Sequence, residues 1–516
     1  MKQTSWVTVR KHSLSLFCCT ILLAAFATLG FSQENTGSIR GEVKDQTGAA
    51  IPGVKITATS AALVRPIEVT SDNTGAYNFP KLPAGIYSIT ASLSGFKTVK
   101  KDDISLQLGS ELSLELSLPA GNVSEQVTIS AAAEALDVTS SRTATNLSEQ
   151  FIDNTPRGRN FHSLLKAAPG VRPEPKGGNE GVGGIQVDGA SGAENAFILD
   201  GVEVTDVRKG QLRRADSIPF EFIREVQVKS GGFEAEYGGA TGGVVNVVTK
   251  SGSDQFHGEG AFLFTNSALN SQGRGYWQPN RTNPNVAEFF RAKEDDYRAF
   301  YPGFSFGGPI LKERLHFFTS YFPEVIRTER TVNFVADNST KSYTQNIKRH
   351  YGMGRLDYAP TQKLQINSSY IWTPTKVNGQ LPVADGRVAA PTNDLSIGGG
   401  YTPSSAYTAG VTYTPTSKLV LSARYGYKYL NDKGSTLNGN YTATFGSYGL
   451  PAGPYLIYRT PSSSQTNPPV PAALAGNTNF TNISSTFATL RDITTRHNVY
   501  LDGTYIARAF GQQHTF

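Results

Sequence analysis

The sequence predicts a mainly β protein in three consecutive parts: a small N-terminal β-sandwich, a compact α+β unit, and an antiparallel run of strands fit for a transmembrane β-barrel. Three observations predict it. Residues 37–118 form short alternating runs broken by turn formers. From Glu259 onward, runs of about 10 residues alternate apolar and polar side chains, as a sheet with one face in lipid and the other in water requires. Past residue 32 no apolar run is long enough for a spanning helix, so any membrane crossing must use strands.

The first segment sets the compartment. Arg10 and Lys11 precede an apolar run from Leu14 to Phe26, and Gly30 and Ser32 stand ahead of Gln33, which reads as a signal peptide over residues 1–32. A membrane anchor is the alternative, but the run is shorter than the roughly 20 residues a spanning helix needs. Cys18 and Cys19, the only cysteines, leave with this segment, so the mature chain has no disulfide, Cys-ligated zinc or thiol catalysis. The formal charge of +6 falls to +3 once Lys2, Arg10 and Lys11 are gone, which gives nucleic acid no support as a partner.

In the first part, strands are expected at Ile39 to Lys44, Gly53 to Ala58, Ala76 to Phe79, Gly85 to Leu93, Ile104 to Leu108 and Leu112 to Leu118. Turn formers at Asp45 to Gly48, Asp72 to Gly75 and Pro83 to Gly85 separate them. Gly41, Ile51-Pro52-Gly53-Val54, Asp72 with Gly75, Leu82-Pro83-Ala84-Gly85, Tyr87 and Gly95-Phe96 resemble the carboxypeptidase regulatory-like domain. That resemblance implies a carbohydrate-binding-like fold over residues 33–120, used as an accessory and without peptidase activity. The region has no histidine to bind zinc, and a scaffold role is preferred to sugar binding.

In the second part, Asn160 is placed to cap a short helix through Lys166 that Pro169-Gly170 ends. Asp200-Gly201, between Phe197 to Leu199 and Val202 to Val204, is a hairpin signal, because both residues tolerate positive φ. Strands are expected at Ile223 to Lys229 and Val244 to Thr249, with glycine-dense sequence from Gly231 to Gly243 between them. Pro156 to Phe161, Pro169-Gly170-Val171, Leu199-Asp200-Gly201-Val202, Phe233 to Gly238 and Gly242 to Gly252 resemble, in order and spacing, the plug domain of TonB-dependent receptors of the Oar-like type. Phe256-His257-Gly258 and Phe306 to Ile310 continue the pattern. The resemblance places a plug over residues 121–258.

In the third part, Leu364, Ile366, Tyr370 and Trp372 share one strand face, against Gln365, Asn367 and Ser369. Tyr407, Ala409, Val411 and Tyr413 alternate with Thr408, Thr412 and Thr414, and Leu419 to Tyr429 repeats the pattern. Tight turns at Pro360 to Lys363 and Pro415 to Lys418 trade with long polar connections at Gly379 to Ser404 and Asn431 to Thr494. A soluble sandwich would also alternate but accounts poorly for such long loops. The resemblance implies a plugged barrel of about 22 strands. Residues 259–516 supply roughly half of that, so the barrel is expected to be truncated.

No phosphate-cradling, zinc-protease or nucleophile-elbow pattern occurs, no cofactor is implied and no catalytic residue is nominated. Glu221, Glu225, Glu234 and Glu236 read as solvated or hydrogen-bonded groups, and Asp200 reads as a turn former. Val123-Ser124-Glu125-Gln126-Val127-Thr128-Ile129 alternates in β fashion and resembles the TonB box; it reads equally as the first strand of the plug. The resemblance implies a receptor in the cell outer membrane that moves a ligand inward, or secretes one, using the TonB complex of the inner membrane. Outer-membrane lipid is its surroundings, and its ligand is unidentified, with carbohydrate one class. The alternative is a surface carbohydrate-binding or adhesin-like protein without transport.

Overall fold

A computed structural model describes residues 36–431 and 493–515, apart from 122–125, 131–135, 138–142, 157, 175–183, 207–211, 213–215, 233–236, 272, 284, 336, 387–389, 391–394, 398, 417 and 510–511. The expected signal segment and the body of the connection after Asn431 lie outside the described residues.

The first part comprises β1 (Gly37–Asp45), β2 (Lys55–Thr59), β3 (Ile67–Thr70), β4 (Ala76–Leu82), β5 (Gly85–Ser92), β6 (Thr98–Leu106), β7 (Glu111–Ser113), β8 (Leu116–Leu118), β9 (Gln126–Ser130) and β10 (Leu136–Asp137). One sheet runs β10-β7-β1-β4, with β8 also on β1, and the other runs β3-β2-β5-β6-β9. Alternate residues, among them Ile39, Val43, Ile56, Phe79, Tyr87 and Ile89, point into one core between the sheets. The turns follow their chemistry. Asp45 accepts from the Thr47 and Ala49 amides at 2.8 and 2.9 Å, and Asp72 repeats this with Thr74 and Ala76 at 2.8 and 3.1 Å. Leu112 to Leu118 is two strands rather than one, interrupted at Leu114-Glu115, where the Leu114 carbonyl lies against Gly41 and accepts from the Tyr77 hydroxyl at 2.7 Å. Two short strands beyond residue 120, β9 and β10, also join this sandwich.

The second part holds β11 (Thr143–Ser148), helix α1 (Glu149–Asn154), β12 (Val171–Pro173), β13 (Ile185–Val187), β14 (Ala196–Leu199), β15 (Val202–Glu203), β16 (Ile223–Gly231) and β17 (Val244–Thr249). Its sheet runs β11-β16-β17-β14-β15, with β14 and β17 parallel. All six residues of β17 are buried, as a strand covered on both faces requires. Asp200 and Gly201 take φ of 49° and 78° in the β14–β15 hairpin. The expected helix at Asn160 to Lys166 is instead two 3-10 turns, Phe161–Ser163 and Leu165–Ala167, with no side-chain cap from Asn160. Leu164 N donates to Phe161 O at 2.9 Å and Ala168 N to Leu165 O at 3.1 Å, the i→i+3 bonds of 3-10 turns, and the Ser163 hydroxyl donates to the Asn160 carbonyl at 2.6 Å.

The third part contains β18 (His257–Asn266), a separate hairpin of β19 (Tyr276–Pro279) and β20 (Ala287–Phe290), then β21 (Asp296–Leu311), β22 (Leu315–Tyr321), β23 (Glu324–Phe334), β24 (Ser339–Arg349), β25 (Gly352–Thr361), β26 (Leu364–Trp372), β27 (Thr375–Asn378), β28 (Gly399–Thr402), β29 (Ser404–Thr416), β30 (Leu419–Asn431), β31 (Ile493–Ala509) and β32 (Gln512–Thr515). Except for the hairpin these make one antiparallel sheet of 13 strands, in which β18 and β32 stand at the ends of the wall among the described residues. Three prolines without an N–H, Pro323, Pro374 and Pro403, interrupt neighbouring strands at one level. Single hydrogen bonds carry the ladder across, Phe322 N to Tyr351 O at 2.9 Å and His350 N to Pro374 O at 3.0 Å.

The expected faces are observed. Tyr370, Trp372, Tyr407, Val411, Tyr413 and Leu421 are exposed on the convex side, whereas Ser369, Ile371 and Thr408 are buried against the second part. Leu356 is 47% exposed and its neighbour Asp357 is 8% exposed, so one step along the strand crosses the wall.

Candidate functional site

Segment 123–129 has a place of its own. Val123, Ser124 and Glu125 lie outside the described residues, while Gln126, Val127, Thr128 and Ile129 lie in β9, which pairs in parallel with β6 from Thr98↔Gln126 to Asp102↔Ser130. The strand therefore ends the sandwich sheet, and the sheet of the second part begins instead at β11.

The sandwich is clasped to the second part through Leu108, which follows β6. The Leu108 amide donates to Glu225 Oε1 at 3.1 Å, and Gln227 Nε2 donates to the Leu108 carbonyl at 2.6 Å. Both polar side chains stand on β16, and Ala84, Leu108 and Val248 close an apolar contact beside them. Burial pushes the Glu225 carboxyl up to about 7, against the opposing pull of the Leu108 amide and Arg224. Lys81 of the sandwich also reaches the wall, pairing with Asp502 and donating to Ser422 Oγ at 3.0 Å.

Three polar anchors fix the second part to the wall. At the first, Asp200 accepts from the Thr249 amide and hydroxyl at 2.9 and 2.8 Å and from the Ser369 hydroxyl at 3.1 Å. Arg355, held by Asp357 at 2.9 Å, stands 3.7 Å from Asp200. At the second, Asp216 meets Lys428, which also donates to Ser404 Oγ at 2.7 Å. At the third, Arg496 pairs with Glu203 at 2.9 Å. Arg159, bound to buried Glu221 at 2.8 Å, adds a contact over the Tyr301 ring of β21 at 5.3 Å. Between the anchors Phe318, Phe322, Met353 and Ile371 of the wall share one core with Phe161, Leu165 and Phe222. Gly426 of β30 lets Val202 approach, since a Cβ there would lie 2.2 Å from a Val202 methyl.

Glu221 and Glu225 are thus hydrogen-bonded, as expected, whereas Glu234 and Glu236 lie outside the described residues. Asp200 is the turn former that its sequence suggested, and it is also an anchor. The partners Asp216, Arg355 and Lys428 carried no signal beyond being charged residues within strands or loops. Among the described residues no group of three or more His, Cys, Asp or Glu is gathered to hold a metal ion.

A folded unit seated on the polar face of an amphipathic antiparallel wall is the arrangement of a plug in a barrel. Residues 38–119 match the family model of the carboxypeptidase regulatory-like domain, and residues 135–244 match that of the TonB-dependent receptor plug domain. Over 393 residues the chain is 29% identical to the TonB-dependent transporter Oar of Myxococcus xanthus, covering 69% of this chain and 35% of Oar. Over 123 residues it is 36% identical to the ferrienterobactin receptor of Escherichia coli (strain K12), covering 21% of this chain and 16% of the receptor. The siderophore receptor PirA of Acinetobacter baumannii aligns at 16% identity with a TM-score of 0.42, over 71% of this chain and 46% of that one. The chain spans about a third of the length of the Oar relative. The chain thus carries a carboxypeptidase regulatory-like domain followed by a TonB-dependent receptor plug domain, the latter seated against an amphipathic antiparallel wall, and over 69% of its length it is similar to a TonB-dependent transporter.

Proposed function

We propose that the protein couples energy from the inner membrane to passage of a ligand through a plugged outer-membrane barrel. The observation that carries this reading is the set of polar anchors between plug and wall. Hydrogen bonds and ion pairs at Asp200, Asp216 and Glu203 hold the plug, yet they can exchange with water one at a time as it shifts. A plug meant to be permanent would be better served by apolar packing alone. The coupling strand is residues 123–129. Its described part, in β9, presents a second edge to which an extended strand of TonB can add through main-chain hydrogen bonds. Ligand binding transmits a signal only if it favours one plug state over the other. The protein acts by binding and gating, without a catalytic step.

The test is uptake by cells carrying the full-length receptor, with labelled ferric siderophores and labelled oligosaccharides as probes. Entry should stop when the proton gradient is collapsed, while binding at the cell surface persists. Uptake that continues without the gradient would overturn the proposal.

A further inference from the structure

A cavity of about 290 Å³ lies where sandwich, plug and wall meet, near the end of the wall with the short turns. Five cationic side chains line it, Arg65 and Lys81 from the sandwich, Arg224 from the plug, and Arg355 and Arg424 from the wall. Among the described residues three carboxylates share the lining, and the cations nearest them engage all three. Arg355 takes Asp357 at 2.9 Å and approaches Asp200 at 3.7 Å, and Lys81 takes Asp502. Arg224 and Arg65 are left without an ion pair among the described residues. Arg224 donates to Ser251 Oγ at 2.6 Å, and the Nε of Arg65 is buried with no hydrogen-bond partner among the described residues. Two guanidinium groups, contributed by different domains, thus face one confined space in which negative charge is short.

A buried guanidinium N–H requires an acceptor, and the fork of N–H groups fits the oxygens of a carboxylate or phosphate two at a time. We infer that this cavity is a binding site for a small multivalent oxyanion, bearing phosphate or clustered carboxylate groups, held between Arg65 of the sandwich and Arg224 of the plug. Such an anion would tie the two domains together across the cavity. It would also offset the repulsion between Arg224 and Arg355, which together with burial lowers the affinity of Arg224 for its proton. On the transport reading proposed above, the cavity favours anionic cargo.

The full-length receptor in detergent is titrated calorimetrically with inorganic phosphate and with citrate at constant ionic strength, chloride being the control. Saturable binding of phosphate or citrate, absent with chloride, is expected. Affinity should fall about tenfold or more in Arg65→Gln and in Arg224→Gln, since each loses charge-assisted hydrogen bonds. Arg65 is only partly buried, so its variant should keep the wild-type thermal unfolding of the receptor and isolates the effect on binding. No saturable binding by the wild type, or undiminished affinity in Arg65→Gln, would overturn the assignment. Acid-released phosphate from the purified receptor would mark a resident anion, and binding seen only on addition would mark cargo; either supports the site. Because no proton gradient enters the measurement, failure of energy-coupled transport would leave its result standing.

Discussion

Asp200 Oδ2 and Ser369 Oγ lie 3.1 Å apart although 169 residues separate them, so a turn of the plug is bonded directly to the barrel wall. Asp200→Ala would strip acceptors from the Thr249 amide and hydroxyl and leave Asp357 as the one carboxylate beside Arg355 among the described residues. Breaking a buried polar set of this kind costs about 3 kcal/mol. Urea unfolding of the full-length receptor should show an earlier midpoint, and hydrogen exchange should quicken at Thr249 before it quickens in the wall.

Lys428 and Asp216 form a second anchor, both nearly inaccessible to solvent. In a double-mutant cycle of Lys428→Met and Asp216→Asn, the coupling energy should be about 2 kcal/mol. Each single substitution should be worse than the pair, because it strands one buried charge. A coupling indistinguishable from zero would mean that the contact does not hold the plug.

Glu225 makes the sandwich–plug clasp sensitive to pH. Its carboxyl rises from the ordinary 4.5 to about 7 when docked, so the docked state binds a proton more tightly than the undocked one. The docked state is therefore favoured most below about pH 4.5, and docking weakens as pH climbs to about 7. The protection factor of the Leu108 amide should fall across that window. Glu225→Gln, which keeps an acceptor for the amide and cannot ionise, should flatten the dependence.

The convex face of the wall should tolerate no charge. Leu356→Arg places a guanidinium on the lipid side and should cost about 2–4 kcal/mol if its depth is near the bilayer centre. Refolding into lipid vesicles, followed by denaturant titration, measures it. A loss no larger than that of Leu356→Ala would contradict a lipid-facing position.

Val127→Pro removes a backbone donor from β9. In a full-length receptor, uptake should be abolished while ligand binding at the surface stays intact. If neither uptake nor binding changes, residues 123–129 are not the coupling strand.

Much of this protein is written locally. Side chains alternate along a strand with a period of two, so the two faces of the wall are legible in the sequence from Leu364 to Trp372 and from Tyr407 to Thr414. The Asx turns at Asp45 and Asp72 and the positive φ at Asp200-Gly201 depend on a few consecutive residues and were equally legible. What the tertiary structure alone decided are relationships between distant segments. Nothing near Asp216 announces Lys428, 212 residues away, nor does anything around Glu225 announce Leu108. The alternating segment at 123–129 could be read as an extended strand, but its pairing depends on which sheet edge lies within reach, and that edge belongs to β6. The same holds for the cavity between Arg65 and Arg224: each arginine is an ordinary charge in its own segment, and only the packing of sandwich, plug and wall sets both around one space. Local chain stereochemistry fixes strand faces and turns, whereas long-range partners are fixed by how the finished sheets pack.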